Sequence, residues 1–326
     1  MSIALNNTPR YTGILRIAGT RSFRLSCGMF FGQGGNTQNI HEAVGECLVA
    51  PEGYTFVQCD QRSAESVVVA NLARRGAYYE LLRLGMKPHC LMALLIFAEA
   101  RPDWFAGLPH TGAEYLANAL APATLAAMAG WRDLDKRIKT ALMEYAIGKM
   151  VIHASSYRMG WRTFVLSVIK NTSGALVLTA AQAKHYLAMF ARAFPEIIEW
   201  QLEVIFEARR KRVLHNCMGY PRVCGRKFNH GYENELISFK PQSTVGVLTH
   251  LATRRIRGAI PNCHILGNVH DAYVVAVPDT DVETTARLMV ETFHVPLRGR
   301  GGEIFYIDAD PKAGRTFTNM ETVKLA

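Results

Sequence analysis

Negative charge is scarce in this sequence. Against 37 Lys and Arg stand only 27 Asp and Glu, a formal net charge of +10 with a pI near 9.3. A surplus of that size points to a polyanionic partner, nucleic acid first and a membrane surface second. Long apolar runs are missing too. The longest, Cys90 to Ala98, falls far short of the ~20 residues that cross a bilayer. The first thirty residues contain Asn6-Asn7-Thr8-Pro9-Arg10 and no apolar signal core, so neither secretion nor membrane insertion is expected. Cysteine is sparse and unpatterned: the seven residues are odd in number, form no CxxC pair and have no zinc-type spacing with His. That excludes a disulfide scaffold and points to reduced thiols in a cytosolic or nuclear-type compartment. Internal repeats and low-complexity linkers are likewise absent. What remains is an ordinary globular composition of 326 residues, 49% hydrophobic with mean hydropathy +0.03, enough to bury the core of one to three domains.

Along the chain the pattern is β-rich, then helical, then β-rich again. Tyr11 to Ile17 and Ser22 to Ser26 are short β-prone stretches, and Gly28 to Gly35 is a glycine-rich segment that fits no phosphate-binding fingerprint and reads as a loop. Tyr54-Thr-Phe-Val-Gln-Cys59, preceded by the turn Pro51-Glu52-Gly53, predicts a buried strand ending on Asp60. A helix is expected over 62–75, stopped by Gly76. Residues 77–212 are rich in Ala, Leu and Met and predict a helical region. Within it Thr179 opens a helix that yields near Pro195, and the next helix ends in Arg209-Arg210-Lys211-Arg212. That basic run reads first as a solvated helix end complementing the dipole. Beyond it, a helix is expected over 242–253, followed by Arg254, Arg255 and Arg257. Cys263 to Val269 and Tyr273 to Val277 then predict a hairpin across His270-Asp271-Ala272. One discontinuous domain with a helical domain inserted is the economical organisation.

Two constellations can carry chemistry. Asp60 ends an apolar strand and Asp271 sits at a hairpin tip, where a carboxylate is costly unless solvated or paired with positive charge. If their strands are neighbours, both project from one sheet edge and can share divalent cations. Paired ions about 4 Å apart activate an attacking oxygen and stabilise a leaving one in phosphoryl transfer. Magnesium suits carboxylates plus substrate phosphates. In the helical region, Lys149, His153 and Tyr157 follow one another at four-residue spacing. On a helix that places Lys149 and Tyr157 within about 80° and ~12 Å along the axis, a span that suits a nucleoside triphosphate. An amphipathic helix with one exposed lysine and one core tyrosine has the same spacing.

In order, the chain reads Arg24-Leu-Ser26, Asn36-Thr-Gln-Asn-Ile40, Asp60-Gln-Arg-Ser-Ala-Glu65, Gly148-Lys-Met-Val-Ile-His-Ala-Ser-Ser-Tyr157-Arg-Met-Gly160, Pro241-Gln242 and Val269-His-Asp-Ala272. This order resembles the polymerase module of family A DNA polymerases, the bacterial DNA polymerase I group and its phage relatives. Asp60 to Glu65 is similar to motif A, Lys149 to Gly160 to motif B, and His270-Asp271 to motif C. The resemblance implies an α+β fold: a palm of antiparallel sheet with helices over 1–76 and 213–326, and inserted α-helical fingers over 77–212. It implies a template-directed DNA polymerase using two Mg2+, with Mn2+ as the alternative. Asp60, Asp271 and the Gln61 carbonyl would hold the metal ions, and Lys149 would contact the triphosphate. His153 and Tyr157 would lie at the incoming dNTP, and Glu65 would block a ribose 2′-hydroxyl. Arg24, Gln242 and His270 would meet the primer–template, with Arg222 and Arg254 as phosphate contacts.

Three positions depart from the family pattern: Tyr145 replaces an arginine, His153 an aromatic, and Ala272 the motif C glutamate. Only about twenty residues precede Arg24, so thumb and exonuclease domains are expected to be absent. A separate protein is then expected to supply them, as in a split viral replicase acting in the cytoplasm (the host's, for a phage). A single-subunit RNA polymerase is the alternative enzyme, disfavoured by Glu65. A catalytically weak replisome subunit that binds nucleic acid is the alternative without catalysis.

Overall fold

A computed structural model describes residues 14–16, 26–28, 42–260, 262–269 and 271–325. The strands among them are β1 (Ile14–Arg16), β2 (Ser26–Gly28), β3 (Tyr54–Gln61), β4 (Val213–His215), β5 (Pro221–Val223), β6 (His264–Val269), β7 (Ala272–Pro278), β8 (Leu297–Arg298), β9 (Ile304–Phe305), β10 (Ala309–Gly314) and β11 (Glu321–Thr322). The helices begin with α1 (Glu42–Glu46), α2 (Ala64–Leu72), α3 (Ala77–Arg83), α4 (Pro88–Phe97), α5 (Gly112–Asn118) and α6 (Pro122–Ala127). They continue with α7 (Trp131–Thr140), α8 (Leu142–Ser156), α9 (Trp161–Asn171), α10 (Ala180–Ala193), α11 (Pro195–Lys211), α12 (His230–Ala259) and α13 (Val282–Phe293). Two compact units result. One comprises Met1–Val68, His215–Pro221 and Phe239–Ala326; the other Val69–Leu214 and Arg222–Ser238.

The first unit is built on an antiparallel sheet of five strands in the order β11-β10-β3-β7-β6. Gly53, at φ +75°, makes the left-handed turn that launches β3, a conformation that costs glycine nothing. The β-branched and aromatic run that follows then pairs on both sides. Val57 lies opposite Val275 on β7 and Ala313 on β10, and Cys59 opposite Tyr273 and Pro311. Paired residues share a face of a pleated sheet, and α13 covers this one: the Phe293 ring meets Tyr273 at 5.4 Å between centroids. On the other face Phe56, Val274 and Ala276 cluster with Ala50, and Tyr54, Leu266, Phe317 and Met320 pack around them. That apolar cover gives way to an exposed Asp60.

The second unit is helical. Proline occupies the first turn of α4, α6 and α11, where its missing N–H is no loss, and Thr111 and Thr179 close capping boxes with Glu114 and Gln182. α4 is buried along Cys90-Leu91-Met92-Ala93-Leu94 and packs on α8. The approach is close enough that a Cβ on Gly148 of α8 would fall 2.4 Å from the His89 carbonyl oxygen of α4.

Two expectations about extent change. The helix expected over 242–253 is the 30-residue α12, with Pro241 inside it. Leu236, Ile237 and Phe239 before the proline, and Val245, Leu248, Ala252 and Ile256 after it, are all buried, and burial at helical spacing outweighs one lost backbone hydrogen bond. The helix expected over 62–75 is the shorter α2. Of the early segments only β1 and β2 are described, paired antiparallel from Ile14 opposite Gly28 to Arg16 opposite Ser26. The other residues of the glycine-rich segment lie outside the described residues.

Phe293, fully buried against Tyr273, is expected to cost about 3–5 kcal/mol when truncated to alanine. Urea unfolding of Phe293→Ala against wild type measures it.

Candidate functional site

Asp60 stands near the C-terminal end of β3, with Ala272 of β7 and Asp310 of β10 as its register partners. Asp271, half-buried, is the turn residue that leads into Ala272. Asp60, on β3, and Asp271, in the turn one residue before β7, therefore lie at the same end of two adjacent central strands. Two hydrogen bonds from Gln61 secure the turn: its backbone N–H donates to the Asp271 carbonyl at 3.4 Å, and its side-chain Nε2 donates to the same oxygen at 3.1 Å. Nε2 also donates to Thr249 Oγ1 of α12 at 2.8 Å. Gln61 is only 2% exposed, and its Oε1 is buried with no hydrogen-bond partner among the described residues.

Beyond Gln61 the chain reverses through Ser63, a non-glycine residue at φ +51°. This left-handed turn delivers Glu65, half-buried, into the first turn of α2. Arg62 grips the carboxylate of Asp310 with two guanidinium nitrogens, Nε at 3.0 Å, and sits 3.9 Å from Asp308. The Asp310 hydrogen bond and the two negative charges raise its pKa. The sheet end thus carries four aspartates, Asp60, Asp271, Asp308 and Asp310, with one guanidinium against two of them. Burial, and next the charges of Asp60 and Asp310, push the Cys59 thiol up to about 12.

Among the described residues no group of three or more His, Cys, Asp or Glu side chains forms a metal cage. Asp60 and Asp271 still have the right chemistry for magnesium, a hard cation held by one or two carboxylates plus substrate phosphates and waters. On the same unit Gln242 is half-buried on α12, and Arg254, Arg255 and Arg257 are exposed near the end of that helix. Arg24 and His270 lie outside the described residues.

In the second unit, Lys149 and His153 are exposed on α8, opposite the buried Ile147, Gly148, Val151, Ile152 and Ala154. Tyr157 caps the helix, and its ring meets His153 edge-on at 5.5 Å. Buried polar groups fix this helix end. Gln201 of α11 donates to the carbonyls of Ser155 at 2.7 Å and Ser156 at 3.0 Å. Asn234 donates to the Arg158 carbonyl at 3.1 Å, and Glu233 pairs with both Arg158 (3.2 Å) and Arg209. The Gln201 bonds take up carbonyls that every helix end leaves without an internal partner. Arg158 itself is held at φ +55°.

Tyr145, where the family resemblance predicts an arginine, packs edge-on against His89 at 5.9 Å. Neighbouring cations are engaged elsewhere. Arg137 donates to the Trp104 and Ala106 carbonyls, Lys139 pairs with Asp135, and Arg158 with Glu233. Arg222 is tied down as well: its side chain is 12% exposed, bonded to Glu235 and stacked over Tyr232.

Sequence reading missed Gln61's side-chain role, Arg62, Thr249, Asp310, Gln201, Glu233 and Asn234. Gln201 carries a signal, since it interrupts the buried stripe Ile197, Trp200, Val204, Ile205 of α11. The others act across sequence separations too long for any local pattern.

Gln61→Leu is expected to lower stability by about 1 kcal/mol. Losing two hydrogen bonds from Nε2 is partly offset by removing the unpartnered Oε1; denaturant unfolding measures the balance. A second prediction concerns pH. Burial first, then the positive charges of Lys149, Lys87 and His153, push the His89 imidazole down to about 4 from 6.5. The unfolded chain therefore binds the extra proton first. The neutral ring's stability is present above pH 6.5 and is lost as pH falls toward 4, about 3 kcal/mol in all. His89→Gln is expected to flatten that slope in unfolding experiments between pH 7 and pH 4.

No protein family and no curated protein matches the chain. Among solved structures it is similar to the POL domain of Pol1 from M. smegmatis in complex with DNA primer-template and dNTP, with a TM-score of 0.63 and 17% identity. The match covers 94% of this chain and 48% of that one, so the chain spans about half the neighbour's length. The likeness is one of fold: mixed α+β around an antiparallel sheet, as in a DNA polymerase domain.

Proposed function

We propose that this chain is a template-directed DNA polymerase that transfers a nucleotidyl group from a dNTP to a primer 3′-hydroxyl. The observation that carries the reading is the register of β3 and β7, which sets Asp60 beside Asp271 at one end of a polymerase-type sheet. In this reading the sheet unit is the palm and the helical unit the fingers. Asp60, Asp271 and the Gln61 carbonyl hold two divalent ions, magnesium by the hardness of their oxygens. Bound there, such ions supply activation of an attacking oxygen and stabilisation of a leaving one.

The remaining roles belong to this chain's own side chains. Lys149 sets a mobile ammonium against the triphosphate, where negative charge grows as pyrophosphate departs. Tyr157 offers the nascent pair an aromatic face indifferent to base identity, with His153 beside it. Glu65 occupies the space that a 2′-hydroxyl needs, selecting deoxynucleotides. Gln242 reads minor-groove acceptors that are alike for every base pair and Arg254 meets the backbone, with Arg24 and His270, outside the described residues, assigned to the primer–template in the same reading. Arg222, half-buried against Glu235 and Tyr232, supports the fold of its own segment instead of a phosphate. A separate protein with thumb and exonuclease functions belongs to the same reading, and co-purification from the native host tests it.

A non-catalytic nucleic-acid-binding role is the second reading, favoured by Tyr145 packing on His89 and by the buried Ala272 opposite Asp60. Primer extension separates the two. Wild type with Mg2+ is expected to extend a primer with dNTPs in preference to rNTPs, and Asp60→Ala or Asp271→Ala to lower the rate at least about 100-fold. Extension that survives Asp271→Ala removes the metal assignment. Absence of extension by wild type, even with a thumb-bearing partner, favours the second reading.

A further inference from the structure

The end of α11 is more than a capped helix terminus. Arg209, Arg210, Lys211 and Arg212 are consecutive and exposed, and Arg226 and Lys227 are exposed as well. Two backbone-directed bonds bring this pair to the run of four: Cys224 N–H donates to the Arg212 carbonyl at 2.8 Å, and the Arg212 guanidinium donates to the Gly225 carbonyl at 2.9 Å. Phe228 receives the Arg209 and Arg212 guanidinium groups at 5.3 and 5.5 Å from its ring centre. Stacking of this kind orders the cations before any ligand arrives. Among the described residues Glu207 stands beside Lys211 at 3.2 Å and Glu233 beside Arg209.

The helix dipole does not account for so much charge. One or two cations in a last turn satisfy it, each worth about 0.3–1 kcal/mol, whereas six in one patch repel one another. The patch also has an apolar side. Leu202 and Phe206, 57% and 66% exposed, lie two turns and one turn before Arg210 on the same helix face. The Arg210 guanidinium sits 6.0 Å from the Phe206 ring centre.

We propose that this surface binds single-stranded nucleic acid, its cations on the phosphates and Phe206 under an unstacked base. A duplex presents phosphates but keeps its bases stacked, so it matches the charge and not the exposed ring; a single strand matches both. The inference rests on the polymerase reading for its biological ligand, a template strand, but its binding chemistry can be measured without catalysis.

The test uses the full chain, a fluorescent 20-mer of single-stranded DNA, and a blunt duplex of equal length, with anisotropy titrations across a salt series. Replacing Arg210, Lys211, Arg226 and Lys227 with alanine is expected to reduce the single-strand log–log salt slope by about 3, from four lost phosphate contacts at ~0.7 each. Phe206→Ala is expected to weaken single-strand binding about tenfold with the slope unchanged, and to leave duplex binding alone. Should the fourfold variant unfold, as judged by circular dichroism, Arg226→Ala with Lys227→Ala carries the slope test, at about half the change. A slope unaltered by these substitutions overturns the proposal. So does equal loss of duplex and single-strand binding in Phe206→Ala, or Phe206-dependent capture by phosphatidylserine vesicles in place of DNA. If the surface binds as described while wild type shows no primer extension even with a thumb-bearing partner, the polymerase reading fails and this inference stands; extension with no effect at this surface gives the reverse.

Discussion

The pairing of β3 with β7 is the constraint on which the first unit depends. An antiparallel ladder admits one register when one face must be buried, because a one-residue slip turns every side chain to the opposite face. Here Val57 and Cys59 must meet Val275 and Tyr273 beneath α13. The same register then leaves Asp60 and Asp271 on neighbouring strands at the sheet end. Packing energy deep in the sheet thus sets the separation of two groups that contribute nothing to packing. Gln61 extends the constraint past the last rung, joining the Asp271 turn and α12 through one buried amide. Arg62 neutralises part of the acidic edge by gripping Asp310.

A parallel device operates in the helical unit. Gly148 lets α8 approach α4, which fixes one side of the helix. Gln201, Glu233 and Asn234 fix its end by bonding backbone or the Arg158 guanidinium. The exposed face bearing Lys149 and His153 is thereby presented by a helix with little freedom to shift, and Tyr157 sits at its anchored end. The anchoring is only half-satisfied: among the described residues Gln201 Oε1 and Asn234 Oδ1 have no hydrogen-bond partner.

Charge has a different distribution from the one its total suggests. A net +10 spread evenly would say little beyond affinity for polyanions. Many cations in both units are instead locked to carboxylates or backbone, as with Arg62, Arg137, Lys139, Arg158 and Arg222. The surplus gathers on surfaces, at the end of α11 with the 225–227 segment and along the last turns of α12.

Much of this protein was determined by local sequence. The run Tyr54 to Cys59 makes a strand, Thr179 and Pro195 bound helices, and the spacing of Lys149, His153 and Tyr157 follows a helix and its cap, since each depends on residues within one or two turns. The order of short motifs, with the basic balance, was enough to point toward a polymerase-type fold. Tertiary structure alone decided which strand lies beside β3, that Asp310 faces Asp60, and that Gln61 reaches Thr249 across 188 residues and Arg62 reaches Asp310 across 248. It also decided that α12 runs through Pro241, and that a basic run read as a helix end becomes part of a larger surface with Arg226 and Lys227. The reason is physical: propensity and capping act over a few residues, whereas register, buried polar partners and charged surfaces arise only when distant segments compete for the same buried space.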